Sequence, residues 1–117
     1  MDEVRIYHNP ACGKSRGALE ILRERGVRCD VVEYLKDHPD RAAIERILSL
    51  LPGPAADLVR KDKRFKELGL DEANYTDRGA VIALLLAHPE LMERPVVIRG
   101  ERAVIARPSE RVLELLR

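Results

Sequence analysis

Residues 4–34 read VRIYHNPACGKSRGALEILRERGVRCDVVEY, and this stretch decides the fold. Val4 to Tyr7 reads as a short first strand, which His8-Asn9-Pro10-Ala11 breaks. A helical pattern follows from about Gly13 to Arg25, with Ala18, Leu19 and Leu22 on one face and Gly26 as its stop. Cys29 to Tyr34 reads as a second strand. A strand–helix–strand unit makes a parallel pair through a right-handed crossover.

Downstream the pattern turns helical. Ile44, Ile47, Leu48 and Leu51 follow the i, i+3, i+4, i+7 spacing, with Asp40 as cap. Pro52-Gly53-Pro54 ends that helix. Shorter helical pieces are expected over Ala55 to Arg60 and Lys63 to Leu68. Thr76 or Asp77 opens a longer helix through Ala87, and Pro89 to Met92 reads as a terminal turn. Val96 to Ile98 and Ala103 to Ala106 form two strands around Gly100-Glu101, a hairpin signal. Ser109 to Leu116 closes the chain as a helix with Val112, Leu113 and Leu116 inward. The order βαβ, then helices, then ββα predicts an α/β, thioredoxin-like domain over residues 1–117. Its four-stranded mixed sheet would carry a helical insertion at about 38–92.

Composition narrows the function classes. The 117 residues suit one domain, and 45% hydrophobic with 35% charged residues suits one core. A net charge of +1 gives no reason to expect a nucleic-acid or membrane surface. The longest apolar run, Ala80 to Ala87, is far short of a membrane span. Met1-Asp2-Glu3 lacks the basic and then apolar regions of an export signal. The two cysteines are therefore expected to be reduced thiols in the cytoplasm.

Cys12 is the residue with chemistry. It follows a strand and enters a helix, where unpaired N–H groups and a partial positive charge stabilise a thiolate. Lys14, Arg16 and His8 are expected to add positive charge, and Gly13 to allow close approach to the backbone. Three other motifs can be tested here. Gly13-Lys14-Ser15 resembles the end of a phosphate-binding P-loop, but that loop needs glycine where His8 stands. A cysteine-dependent tyrosine phosphatase places arginine where Ala18 stands. A dithiol redox motif needs cysteine where Ser15 stands. A hydroxyl cannot resolve a mixed disulfide, so a second thiol must come from elsewhere. The helix separating Cys12 from Cys29 spans ~20 Å, whereas a disulfide needs Cα atoms within ~7 Å. Cys29 therefore reads as a structural thiol.

At this point the chain resembles the glutaredoxin-dependent arsenate reductases. Their signature is carried by Tyr7-His8-Asn9-Pro10-Ala11-Cys12-Gly13-Lys14-Ser15-Arg16. It continues in Leu58-Val59-Arg60-Lys61 and in Phe65-Lys66-Glu67-Leu68-Gly69-Leu70. Further on come His88-Pro89, Arg94-Pro95-Val96-Val97 and Arg107-Pro108-Ser109-Glu110. The blocks run from end to end of the chain in the family's order.

The resemblance implies that Cys12 attacks arsenate and holds it as a thiolate adduct. Glutathione as co-substrate and glutaredoxin as partner would then complete the reduction to arsenite. It implies Arg60, Arg94 and Arg107 as the oxyanion site, His8 as an aid to thiol acidity, and Gly13, Ser15 and Pro95 in support. Guanidinium forks suit a tetrahedral oxyanion because they are always charged and offer paired donors. Taken alone, Arg60 would read as a surface charge or ion pair. Pro95 occupies the place of the cis-proline of thioredoxin-like folds, and Pro108 and Ser109 are expected to open and cap the closing helix. No metal or bound cofactor is expected, and the chain is expected to be a monomer. The alternatives are an Spx-type thiol-based regulatory protein, or a monothiol redox protein without arsenate turnover.

Overall fold

A computed structural model describes residues 3–117. Met1 and Asp2, on which the reading of the leader partly rests, lie outside the described residues. Eight principal elements follow one another in chain order. They are β1 (Val4–His8), α1 (Gly13–Glu24), β2 (Cys29–Glu33), α2 (Arg41–Leu50), α3 (Lys63–Glu67), α4 (Arg78–Ala87), β3 (Val96–Arg99) and β4 (Arg102–Ile105). Short 3-10 turns fill the gaps, and a longer 3-10 helix, Ser109–Leu116, ends the chain.

The four strands form one mixed sheet in the order β2-β1-β3-β4. β1 and β2 run parallel, in register from Val4 opposite Cys29 to His8 opposite Glu33. β3 lies antiparallel to β1, and β4 antiparallel to β3. This is the thioredoxin-like arrangement that the element order predicts. Gly100 makes the β3–β4 turn at φ +60°, a conformation that glycine adopts without steric cost.

Both faces of the sheet are covered, so the strands are apolar on both sides. Side chains alternate with period two. Val4, Ile6, Val97 and Val104 face α1 and the terminal helix, packing with Ala18, Leu22, Val112 and Leu115. Tyr7, Val96, Ile98 and Ala103 face the helical insertion, packing with Ile44, Ile47, Val81, Leu85 and Leu91. Cys12 follows the C-terminal end of β1, at the sheet edge where the two layers meet. Cys29 pairs with Val4 at the opposite end, so the β1–β2 register keeps the two thiols apart. Neither is in a disulfide.

The starts of α2, α3 and α4 follow aspartate caps. Asp40 accepts a hydrogen bond from the Ala43 N–H, as expected, and Asp77 rather than Thr76 caps α4 through the Ala80 N–H. Asp62 and Asp71 do the same for α3 and for the 3-10 turn Glu72–Asn74, which the sequence pattern does not reveal.

Several expectations need correction. The helical piece expected to reach Arg60 ends at Leu58, because Val59 leaves it to make an antiparallel bridge with Met92. The terminal segment buries Val112 and Leu115 rather than Val112, Leu113 and Leu116. Its 3-10 geometry returns to the same face every third residue, whereas an α-helical period was expected. Ser109 does not cap this helix. Its hydroxyl donates 2.7 Å to the Lys14 carbonyl of α1 instead. That contact explains Gly17, where an added Cβ would stand 2.6 Å from the Ser109 oxygen. Gly13 has no such neighbour, since a Cβ there would meet only Arg16 Nη2 at 3.8 Å.

Candidate active site

The site begins at the end of β1. His8 is the last strand residue rather than part of the break, and it is buried. Asn9 then folds the chain back. Its side-chain oxygen accepts from the Ala11 N–H at 3.0 Å, and its carbonyl from the Cys12 N–H at 3.0 Å. This turn delivers Cys12 to the start of α1 with an extended backbone. Ser15, wholly buried one turn in, locks the turn from below. Its oxygen accepts from the Asn9 N–H at 3.0 Å and shares a 2.6 Å hydrogen bond with His8 Nδ1.

His8 therefore acts on the loop through Ser15. Burial pushes its pKa below the ordinary histidine value, so the ring is neutral at neutral pH. The expectation that His8 supplies positive charge is corrected on that ground. Arg16 is engaged elsewhere too, donating to the Pro10 carbonyl at 2.9 Å.

The positive groups at the sulfur come from the far end of the chain. Arg107 Nη1 stands 3.8 Å from Cys12 Sγ and donates to the Arg94 carbonyl at 2.9 Å. The Pro95 carbonyl accepts from the Ala106 N–H at 2.9 Å, which ties the two arginine-bearing loops together. The Arg94–Pro95 peptide is cis, and so is Arg107–Pro108.

Opposing effects set the acidity of Cys12. Burial raises its pKa and is the largest single influence. The Ser15 N–H, the Arg94 side chain, the Lys14 N–H and Arg107 outweigh it together, bringing the thiol down to about 7. The sulfur makes no capping hydrogen bond as drawn. The two N–H groups favour the anion by facing it, as the first turn of a helix does. Cys29 goes the other way, pushed up by burial, with its thiol 3.5 Å from the Val27 carbonyl.

Arg60 joins at one remove. Its segment is held by the Val59–Met92 bridge, by Arg60 N–H to Leu91 O at 2.7 Å and by Glu93 N–H to Leu58 O at 2.8 Å. Its guanidinium binds Asp62 at 3.0 Å and Glu93 at 3.1 Å. The same Glu93 oxygen lies 3.8 Å from Arg107 Nε. Thus Arg107 contacts the sulfur, Arg94 is tied to Arg107 and lowers the thiol pKa with it, and Arg60 connects to Arg107 through Glu93.

Glu93 is a member that sequence reasoning missed. Glu93 could have been noticed as an acid directly before a site arginine. Among the described residues no three His, Cys, Asp or Glu side chains converge to hold a metal ion, and no helix is long and apolar enough to cross a membrane. Cys12 does not line either of two clefts. One of about 370 Å³ is lined by Arg5, Asp30, Asp37 and His38, and one of about 390 Å³ by His8, Pro10, Arg16, Leu19 and Arg23, on the outer side of the Cys12 loop.

Comparison with known proteins agrees with the fold. The model of the ArsC family matches residues 7–115. The chain is 42% identical to an arsenate reductase of Neisseria meningitidis serogroup A, over 99% of this chain and 100% of that one. It is 38% identical to an arsenate reductase of Escherichia coli K12, over 99% of this chain and 82% of that one. Among solved structures it is similar to an arsenate reductase from Vibrio cholerae, with a TM-score of 0.87 and 35% identity. That match covers 97% of this chain and 98% of the other.

Proposed function

The chain belongs to the ArsC family, and from that premise we propose that it reduces arsenate through a covalent adduct on Cys12. The observation that carries the reading is a thiol brought to about 7 beside two guanidiniums, one of them 3.8 Å from the sulfur. About half of such a thiol is thiolate at neutral pH, against a few per cent for a free cysteine. The same guanidiniums are the donors that a tetrahedral oxyanion needs.

In the proposed reaction the Cys12 thiolate attacks arsenic. An S–As bond forms, and one arsenate oxygen takes up protons and leaves as water. The Lys14 and Ser15 N–H groups, Arg94 and Arg107 hold the remaining negative oxygens. Glutathione then supplies the second thiol. Two thiols become one disulfide, arsenic gains two electrons, and arsenite departs. Glutaredoxin with further glutathione returns Cys12 to the thiol by exchange. Ser15 in place of a second cysteine supports an external thiol, because no internal one lies within reach of Cys12.

The test is arsenate turnover by the purified protein with glutathione and glutaredoxin. Cys12→Ser abolishes it, because an unactivated hydroxyl is a far poorer nucleophile. Cys29→Ser keeps most of it. A wild-type protein that becomes glutathionylated on Cys12 at the same rate with and without arsenate, and yields no arsenite, is a monothiol redox protein instead.

A further inference from the structure

Tyr34 immediately follows β2. Because Glu33 lies opposite His8, the parallel register sets Tyr34 across from Asn9, at the edge where Cys12 begins its helix. Its side chain is 1% exposed and packs among the residues of the insertion-side core. Among the described residues its hydroxyl has no hydrogen-bond partner. Buried polar groups are almost always paired, so an orphan here asks for an explanation.

There is a second orphan. Arg94 Nε is also buried without a partner. The two belong to one neighbourhood. Burial pushes the Tyr34 phenol pKa up, and the other groups acting on it are Arg94, the Asn9 side chain, Cys12 and Arg60. The Asn9 side chain acts on the phenol as a donor, lowering its pKa, and so leaves the hydroxyl proton without an acceptor. A phenol O–H and a guanidinium N–H are both donors. Two buried donors in one neighbourhood, neither with a protein acceptor, fit a group that offers only oxygen lone pairs.

We propose that the Tyr34 hydroxyl donates a hydrogen bond to an oxygen of the oxyanion bound at Cys12, alongside Arg94. This rests on the arsenate reading for the identity of the anion, and it adds a neutral donor to the arginines. The neutral donor has a separate use. It binds an oxygen without adding charge at the sulfur, so it strengthens anion binding while leaving thiol acidity nearly untouched. Arg94 does both at once.

Tyr34→Phe removes one oxygen atom and nothing else. The test measures how arsenate, phosphate and sulfate each slow the alkylation of Cys12 by iodoacetamide, with the site of modification read by mass spectrometry. In wild-type protein these anions protect. In Tyr34→Phe the protecting concentration rises roughly tenfold or more, the range for losing one hydrogen bond to a charged partner. The alkylation rate without anion stays within twofold of wild type. Melting temperature without anion holds or rises, since an unpaired buried hydroxyl has been removed. Tyr34→Met, which fills similar space without a hydroxyl, guards against a packing effect and loses protection equally. Unchanged protection in both variants overturns the proposal. If wild-type protein makes no arsenite, the arsenate reading fails separately, and the phosphate and sulfate arms still decide whether Tyr34 holds an oxyanion.

Discussion

Arg107 places its Nη1 3.8 Å from Cys12 Sγ across 95 residues of chain, and with the same atom holds the Arg94 carbonyl at 2.9 Å. One guanidinium therefore serves the nucleophile and positions the neighbouring arginine. Lysine is a point charge and cannot make both contacts in one plane. Arg107→Lys should lower arsenate turnover roughly ten- to a hundredfold, the worth of one charge-assisted hydrogen bond of about 1.5–3 kcal/mol. Circular dichroism should show the fold intact. Activity near wild type in Arg107→Lys would mean that charge alone suffices there.

Thiol acidity predicts a pH profile with an internal control. Alkylation of Cys12 should fall about tenfold per pH unit below its value of about 7 and level off above it. Cys29, pushed up by burial, should still be accelerating at pH 9. Stability follows the same protons. The folded chain releases the Cys12 proton more readily than the unfolded chain, whose thiol titrates near ~8.5. This contribution is absent below about pH 7, grows between the two values and is complete above the higher. His8 is held below its usual value, so stability is also lost as pH falls below ~6.5 and the unfolded chain takes up protons more readily. Thermal melts of wild type should rise with pH through both windows, and Cys12→Ser should flatten the upper one alone.

Local signals in the sequence found the elements because the forces that place them are local. Apolar spacing marked α1 and α2, and Asp40 and Asp77 marked helix starts. The family resemblance, rather than local spacing, marked Arg94 and Arg107, each directly before a proline, as oxyanion residues. Contacts between distant segments left no such mark. Ser109 looks like a cap in sequence, yet Lys14, 95 residues away, offers its hydroxyl a carbonyl. His8 reads as a cation beside a thiol, but the sheet buries it and burial disfavours the charge. Glu93 reads as one acid among 20 Asp and Glu until the Val59–Met92 bridge brings Arg60 against it.

The Ser109 contact sets up a prediction about Gly17. An alanine there raises helix propensity by about 1 kcal/mol but drives its Cβ to 2.6 Å from the Ser109 oxygen. The hydroxyl must move and give up the Lys14 carbonyl, and such overpacking costs about 1–3 kcal/mol. Gly17→Ala should therefore lower stability overall, read as a drop in the denaturation midpoint. Ser109→Ala alone should also lower it. The double variant should lose less than the sum, because the two changes act on one contact. Strict additivity would place the constraint on Gly17 elsewhere.

Glu93 offers the last prediction, since its carboxylate sits where an arriving anion would compete for the same arginines. One oxygen lies 3.1 Å from Arg60 Nη1 and 3.8 Å from Arg107 Nε. Glu93→Gln keeps the shape and an accepting oxygen while removing the negative charge. Arg60 stays anchored by Asp62 at 3.0 Å, so the segment should not move. The field at the site becomes more positive, and an oxyanion should bind more tightly. We expect the KM for arsenate to fall about three- to tenfold, or ~0.7–1.4 kcal/mol, with the gain shrinking as salt is added. The turnover number at saturation should change less, because Arg94 and Arg107 still face the sulfur. A KM that rises in Glu93→Gln would instead make this carboxylate the scaffold that holds Arg60 in place, and would count against its role as a competitor for the arginines.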